Sequence, residues 1–274
     1  MQRGLLERLN YLQRLVGTAL SFGFFGLGGM AIGLVFFPLI RLRHGGESER
    51  RRAARLLIHR VFALHLNFMR WMGVMDYRVS GLELLHASRG ELIVANHPTL
   101  VDVVFLISQM PDADCIVRNG LWNNPFTRGP VRAAGYLLND GSPALIERCV
   151  ERLRSGASLV VFPEGTRTVR GTTLNPLQRG AANIAARSGA PCRPVIIRCD
   201  PLTLTKHEKW YQIPPHRFHL SMEVRDALPV ASIVGASAGP AIAARRINAA
   251  LQAYFMEELR VASPADRAGM GSGS

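Results

Sequence analysis

A histidine and an aspartate five positions apart, His97 and Asp102, are the residues whose types and spacing best suit acid–base chemistry. They follow a short apolar run at residues 92–95 that is typical of a buried strand. Pro98 disfavours helical geometry at His97, and Thr99 can cap a new helix. This strand-to-helix reversal could bring the carboxylate back to the imidazole, fix its tautomer and leave the other ring nitrogen basic. The pair therefore predicts a general base with its orienting group.

The same residues also permit a structural interpretation. Thr99-x-x-Asp102 is a helix capping box, in which the carboxylate only accepts hydrogen bonds from backbone donors. A histidine near one carboxylate is more often structural than catalytic. This stretch therefore leaves both interpretations open, and a second block bears on the choice.

That second block is Pro-Glu-Gly-Thr-Arg at residues 163–167, directly after a strongly apolar run at residues 159–162. The proline and glycine bend the chain, which places Glu164 and Arg167 at the carboxyl end of a predicted strand, where ligands of α/β sheets gather. Arg167 offers a guanidinium fork for phosphate or carboxylate, and Gly165 permits close approach to the backbone. Alternatively, Glu164 and Arg167 form only an ion pair within a turn.

The two blocks together resemble the glycerolipid acyltransferases, the family of the 1-acylglycerol-3-phosphate acyltransferases. Residues 96–102 match that family's His-x-x-x-x-Asp box, and residues 162–167 match its Glu-Gly-Thr-Arg box, in the same order and about 60 residues apart. Pro194 and the apolar residues after it resemble the family's later proline-containing strand. The resemblance covers roughly residues 75–225.

The resemblance implies an O-acyltransferase that moves a fatty acyl chain from a thioester, acyl-coenzyme A or acyl-carrier protein, to a lysophospholipid hydroxyl. Neither a resident cofactor nor a metal ion is implied. His97 would be the general base and Asp102 its orienting residue. The implied acceptor-binding residues are Asn96, Arg132, Glu164, Gly165, Thr166 and Arg167.

One departure concerns the family's middle box, which ends in an arginine thought to hold the acceptor's phosphate. This sequence has Gly141 at that position, and Arg132 or Arg128 would have to compensate. Otherwise the acceptor differs from 1-acylglycerol-3-phosphate, as in acyltransferases of specialised bacterial lipid or polyene pathways. A non-catalytic, membrane-anchored lipid-binding relative is the remaining alternative, although both boxes are intact.

The elements that must position these residues alternate as strands and helices from Asp76 onward. We predict an α/β fold whose mixed, largely parallel central sheet is flanked by helices, preceded by an N-terminal membrane-associated helical segment. The expected organisation is a membrane anchor with a basic amphipathic helix at residues 1–73, a catalytic domain at 74–261 and a disordered tail at 262–274.

The expected anchor contains no charged residue from position 15 to position 40, a length that can cross a bilayer core of about 30 Å. Gly29-x-x-x-Gly33 would allow close helix approach. A signal peptide fits less well, and a re-entrant hairpin broken at the glycines stays open. Arginines are denser after this run than before it, which predicts that the catalytic domain faces the cytoplasm from the inner membrane. The helix at residues 51–71 could lie among lipid headgroups or pack on the core.

The charge balance favours acidic partners, since 33 Lys and Arg residues stand against 20 Asp and Glu residues. The arginines cluster beside the apolar run rather than in an aromatic-interleaved strip, which favours anionic membrane lipid over nucleic acid. The four cysteines show neither a C-x-x-C pair nor zinc-like spacing, so free thiols are expected. The sequence leaves the oligomeric state open.

Overall fold

A computed structural model describes residues 2–43, 45–235 and 239–261 of the chain. Its strands are β1 (Met75–Ser80), β2 (Leu92–Ala95), β3 (Asp114–Arg118), β4 (Leu137–Asn139), β5 (Leu159–Val161), β6 (Cys192–Asp200) and β7 (Phe218–Val224). The helices are α1 (Gln2–Ala31), continued by a π-helical turn (Ile32–Phe36), then α2 (Phe37–Arg43), α3 (Glu47–Trp71), α4 (Leu82–Ala87), α5 (Asp102–Ile107), α6 (Asn119–Asn123), α7 (Arg128–Ala133), α8 (Pro143–Arg154), α9 (Arg179–Ser188), α10 (Val230–Val234) and α11 (Pro240–Arg260). The predicted tail at 262–274 lies outside the described residues.

The strands form one seven-stranded sheet in the order β1-β7-β6-β2-β5-β3-β4. All neighbouring strands are parallel except β6 and β7, which are antiparallel. The prediction of a mixed, largely parallel sheet is therefore confirmed. The carboxyl ends of β2, β3, β4, β5 and β6 share one edge, and the chain enters β1 and β7 at that same edge. Functional side chains that follow different strands are thereby brought together.

Helices cover both faces of this sheet, as the side-chain alternation of a buried strand requires. Along β2, Ile93 and Ala95 pack into a core cluster with residues of α3, α5 and α7. Leu92 and Val94 pack on the opposite face, with residues of α8, α9 and α11. Because α3 contributes buried side chains to the first cluster, residues from both predicted domains share one core.

The N-terminal helices form an antiparallel pair held by aromatic contacts. Phe24 stacks on Phe68 at 5.2 Å between ring centroids, and Phe25 stacks on Phe62 at 5.9 Å. The segment Glu7–Ile40 is a helical stretch of 34 residues, long and apolar enough to cross a membrane by length and composition. Helix α3 packs on the core through Ile58, Leu66 and Met69, whereas its last residue, Trp71, is 78% exposed.

Helix α1 and its π-helical continuation contact the chain just before β1 and β7 and after β3, which is the edge of the sheet where the parallel strands β2 and β5 also end. The Arg14 guanidinium donates to the carbonyls of Pro214 and Pro215, just before β7. Farther along, a Cβ atom at Gly29 would lie 2.5 Å from the Phe126 carbonyl oxygen. The glycines predicted to allow close helix approach therefore do so, against the 126–130 segment of the same chain.

Candidate active site

The chain reversal between β2 and α5 brings His97 and Asp102 together. The Nδ1 atom of His97 lies 3.0 Å from Oδ2 of Asp102. The carboxylate is fully buried, whereas the imidazole is 13% exposed and packs against the Phe162 ring at 4.7 Å between centroids. Since Nδ1 is held by the carboxylate, the atom left for proton transfer is Nε2.

The carboxylate of Asp102 also performs the structural task of the capping interpretation. Its Oδ2 accepts from the N–H of Thr99 at 2.6 Å, and its Oδ1 accepts from the Thr99 hydroxyl at 2.6 Å. The two interpretations are therefore compatible, because one buried group binds both the turn and the ring. The Thr99 N–H fixes Oδ2 as an acceptor, so the matching ring tautomer carries its proton on Nδ1.

Glu164 is buried, and its carboxylate contacts the backbone of the histidine rather than solvent. Its Oε1 accepts from the backbone N–H of His97 at 2.7 Å, and its Oε2 accepts from the N–H of Asn175 at 2.9 Å. Burial raises the pKa of the Glu164 carboxyl, and these two N–H donors act in the opposite direction. A further hydrogen bond from the Thr168 N–H to the His97 carbonyl, at 2.7 Å, joins the two sequence blocks. The contacts of Glu164 therefore position the histidine backbone.

Arg167, at the end of the same block, is partly exposed, and its guanidinium is already hydrogen-bonded to the protein. Its Nη1 donates to the carbonyls of Leu204 and Thr205 at 2.8 and 2.9 Å. Burial lowers the pKa of Arg167, and the positive charge of Arg118 lowers it further. Arg118 ends β3 and Arg167 follows the neighbouring β5, so two cations lie at the edge where these strands end, where an anion would be attracted.

Arg118 is the residue that sequence reasoning missed. It is the last residue of β3 and is exposed. It lies outside the two blocks that carry the resemblance, so the available signal was its position at a strand's carboxyl end. That signal becomes specific only once the strand order places β3 beside β5.

Two other predicted acceptor-binding residues have structural partners. Asn96 is buried and exchanges two hydrogen bonds with the backbone of Ile197, which pin β2 to β6. Arg132 lies on α7 with its guanidinium 5.4 Å from the centre of the Trp122 ring. In the described structure, neither side chain forms a hydrogen bond or a ring contact with the imidazole.

The remaining positions of the predicted site are Gly165, Thr166 and Gly141. Gly165 has a φ of +68°, which favours glycine and forms the sharp turn after β5. Thr166 is half-buried beside it. At Gly141, where the family arginine is expected, an added Cβ would meet nothing within 4 Å. Over the described residues, we find no cluster of three or more His, Cys, Asp or Glu side chains that could hold a metal ion.

Comparisons with known proteins identify acyltransferases as similar to this chain. Residues 76–198 match the sequence model of the family described as Acyltransferase. A 1-acyl-sn-glycerol-3-phosphate acyltransferase of Helicobacter pylori is 27% identical over 175 residues, which cover 62% of this chain and 67% of that protein. A chloroplastic 1-acyl-sn-glycerol-3-phosphate acyltransferase of Brassica napus is 32% identical over 125 residues, which cover 43% of this chain and 36% of that protein.

A solved structure is similar over nearly the whole chain. The crystal structure of the 1-acyl-sn-glycerophosphate (LPA) acyltransferase PlsC from Thermotoga maritima superposes with a TM-score of 0.69. The match covers 92% of this chain and 98% of that one at 16% sequence identity, so it establishes the fold. The chain is therefore similar to the acyltransferase family over residues 76–198, and it has the fold of the solved acyltransferase.

Proposed function

We propose that this protein transfers a fatty acyl chain from a thioester, acyl-coenzyme A or acyl-carrier protein, to the free hydroxyl of a 1-acylglycerol-3-phosphate. The observation that carries the proposal is the 3.0 Å contact between His97 Nδ1 and the buried Asp102, at the sheet edge that also holds Arg118 and Arg167. One end of this arrangement suits proton abstraction and the other suits a phosphate.

In this mechanism, Nε2 of His97 removes the proton from the acceptor hydroxyl as its oxygen attacks the thioester carbonyl. The tetrahedral intermediate collapses with cleavage of the carbon–sulfur bond, and the imidazolium returns the proton to the departing thiolate. Asp102 stabilises the imidazolium that forms between these steps. General-base catalysis of this kind contributes about 10²–10⁴-fold. The thioester is already activated, so an acyl-enzyme intermediate is unnecessary.

The acceptor's phosphate would bind between Arg118 and Arg167. Each guanidinium can form a charge-assisted pair with phosphate oxygens, and the bound anion would relieve the repulsion between the two cations. The carbonyls of Leu204 and Thr205 would hold one of these arginines in place before the phosphate arrives. Glu164 acts behind the histidine rather than on the acceptor.

The apolar helix would bring this site to its lipid substrate. Helix α1 contacts the domain from Arg14 to Gly29, and the π-helical turn extends this to Gly33, which at a rise of 1.5 Å per residue is about 29 Å of its length. Apolar side chains on the outside of this helical segment are exposed, including Leu9, Leu12, Val16, Leu20, Leu27, Met30 and Leu34. These contacts favour a helix that lies along the membrane surface with the active-site edge facing lipid. The arginine-rich stretch that follows favours the cytoplasmic side of the inner membrane.

Purified full-length chain in lipid vesicles provides the test. With an acyl thioester and 1-acylglycerol-3-phosphate, we expect free thiol and diacylated phosphate lipid in equal amounts, detected by a thiol reagent and by mass spectrometry. Separate reactions with acyl-coenzyme A and acyl-carrier protein identify the donor. If thiol is released by water alone and no diacylated lipid forms, the proposal is wrong.

The glycine at position 141, where the family arginine is expected, favours one second candidate, an acyltransferase whose acceptor lacks a phosphate in that position. The same assay distinguishes it when a lysolipid with a neutral head replaces the phosphate-bearing one. Faster acylation of the neutral acceptor would support the second candidate over the first.

A further inference from the structure

The chain between β6 and β7, residues 201–217, is a long segment with contacts near its beginning, middle and end, and we call it the β6–β7 segment. Toward its end, the buried guanidinium of Arg14 donates to the carbonyls of Pro214 and Pro215 at 2.7 and 2.6 Å. In its middle, the Trp210 ring packs against Phe22 of α1 with 6.2 Å between ring centroids. The segment is therefore attached to the apolar helix.

The beginning of the β6–β7 segment is attached to the active site instead. Its Leu204 and Thr205 carbonyls hold Arg167. Glu208 accepts from the N–H of Thr205 at 2.9 Å and also pairs with Arg170. These contacts place the segment at the rim of the site, on the side where α1 passes.

In its middle, the segment also exposes aromatic rings beside a cation. Trp210 is 43% exposed and Tyr211 is 46% exposed, and their rings meet edge to face at 5.7 Å. The ammonium of Lys209 lies 5.6 Å from the centre of the Tyr211 ring. Indole and phenol rings are the side chains enriched at membrane–water interfaces, and a neighbouring lysine adds attraction to anionic headgroups.

We propose that the β6–β7 segment is a second membrane-contacting element, which places Trp210 and Tyr211 in the headgroup layer beside α1. Exposed aromatic residues also occur at protein–protein interfaces. Lipid is the better partner here because the exposed rings lie beside the apolar helix α1, through the contact between Trp210 and the partly buried Phe22. The proposal shares with the proposed function the orientation of the site toward lipid, but its test needs no catalytic activity.

The first experiment uses Trp210 as a reporter. In the full chain, Trp71→Phe and Trp122→Phe leave it as the single tryptophan, and vesicles carry phospholipids brominated near the headgroup. We expect a blue-shifted emission and quenching when the protein binds. The matched control removes all three tryptophans and adds Ile242→Trp, which places the reporter at an exposed position of α11 on the opposite side of the sheet. This reporter should stay unquenched on the same vesicles.

The second experiment measures partitioning onto vesicles by sedimentation. A lysine near an anionic surface contributes enough attraction that Lys209→Ala should weaken binding to phosphatidylglycerol vesicles about fivefold. Binding to neutral phosphatidylcholine vesicles should be unchanged. Arg245→Ala, which removes an exposed cation from α11, is the control and should leave both values unchanged.

The proposal is overturned if vesicle-bound protein keeps a water-like, unquenched Trp210 emission. That result would mean that α1 binds lipid while the β6–β7 segment faces water, and it would leave the aromatic rings to a protein partner. If the protein shows the expected Trp210 quenching but transfers no acyl chain to 1-acylglycerol-3-phosphate, that result would count against the proposed function alone.

Discussion

An Asp102→Asn variant separates the two tasks of the buried carboxylate. Oδ2 accepts from His97 Nδ1 and from the Thr99 N–H, so an asparagine amide fits best with its oxygen in that position. The turn and the ring tautomer should then survive, because both N–H donors still meet an acceptor. What is lost is the negative charge that stabilises the imidazolium during transfer.

The size of that loss follows from the contact. An opposite charge in direct contact favours the charged partner by about 1.4–4 kcal/mol. Because the imidazolium forms only as the acceptor proton is removed, we expect kcat to fall by about 10–10³-fold. The acceptor KM should change little, since Asp102 is fully buried and does not face the acceptor. Initial rates of thiol release at several acceptor concentrations give both constants.

Asp140→Asn is the matched control. Asp140 also accepts from the N–H and the hydroxyl of one residue, Ser142, at 2.9 and 2.7 Å, but it is exposed and its other partner is Arg148 rather than a histidine. Its kcat should match that of the unmodified protein. The reasoning is refuted if Asp102→Asn keeps full kcat, or if Asp140→Asn loses as much.

Three further predictions concern binding, packing and thiol chemistry. Arg167→Ala and Arg118→Ala should each raise KM for a phosphate-bearing acceptor, and a neutral-headed acceptor should be affected less; equal effects on both acceptors would contradict the phosphate assignment. Gly29→Ala should destabilise the protein by about 1–3 kcal/mol in thermal unfolding, because the added Cβ meets the Phe126 carbonyl. Gly23→Ala, with nothing within 4 Å, should not do so, and equal effects would contradict the close approach. Burial raises the pKa of all four thiols, those of Cys115, Cys149, Cys192 and Cys199, to about 12. Treatment with iodoacetamide at pH 8 should therefore leave the activity of the native protein intact. Rapid inactivation would contradict the burial of these thiols.

Local chemistry explains what the sequence predicted well. The run before His97, the proline after it and the threonine cap act within a few residues, and they set the reversal that returns Asp102 to the ring. The mixed, largely parallel sheet was predictable because strand and helix patterns alternate along the chain. Gly165 follows the same logic, since its left-handed φ serves a turn within its own block.

Contacts between distant residues explain what the sequence did not provide. The direction of the Glu164 carboxylate depends on the His97 N–H, 67 positions earlier in the chain. The partner of Asn96 is a backbone 101 positions away. Arg118 joins Arg167 only because β3 and β5 are neighbours in the sheet. Such pairings follow from strand order, which local patterns do not specify.

The most direct test of the account is transfer by a His97→Ala variant bound to vesicles. The variant should bind the same vesicles as the unmodified protein, because the proposed membrane contacts lie on α1 and the β6–β7 segment, while acyl transfer falls by at least about 10²-fold. Release of thiol and formation of diacylated phosphate lipid are measured together. Near-normal turnover by a folded, vesicle-bound His97→Ala protein would contradict the claim that this imidazole is the general base.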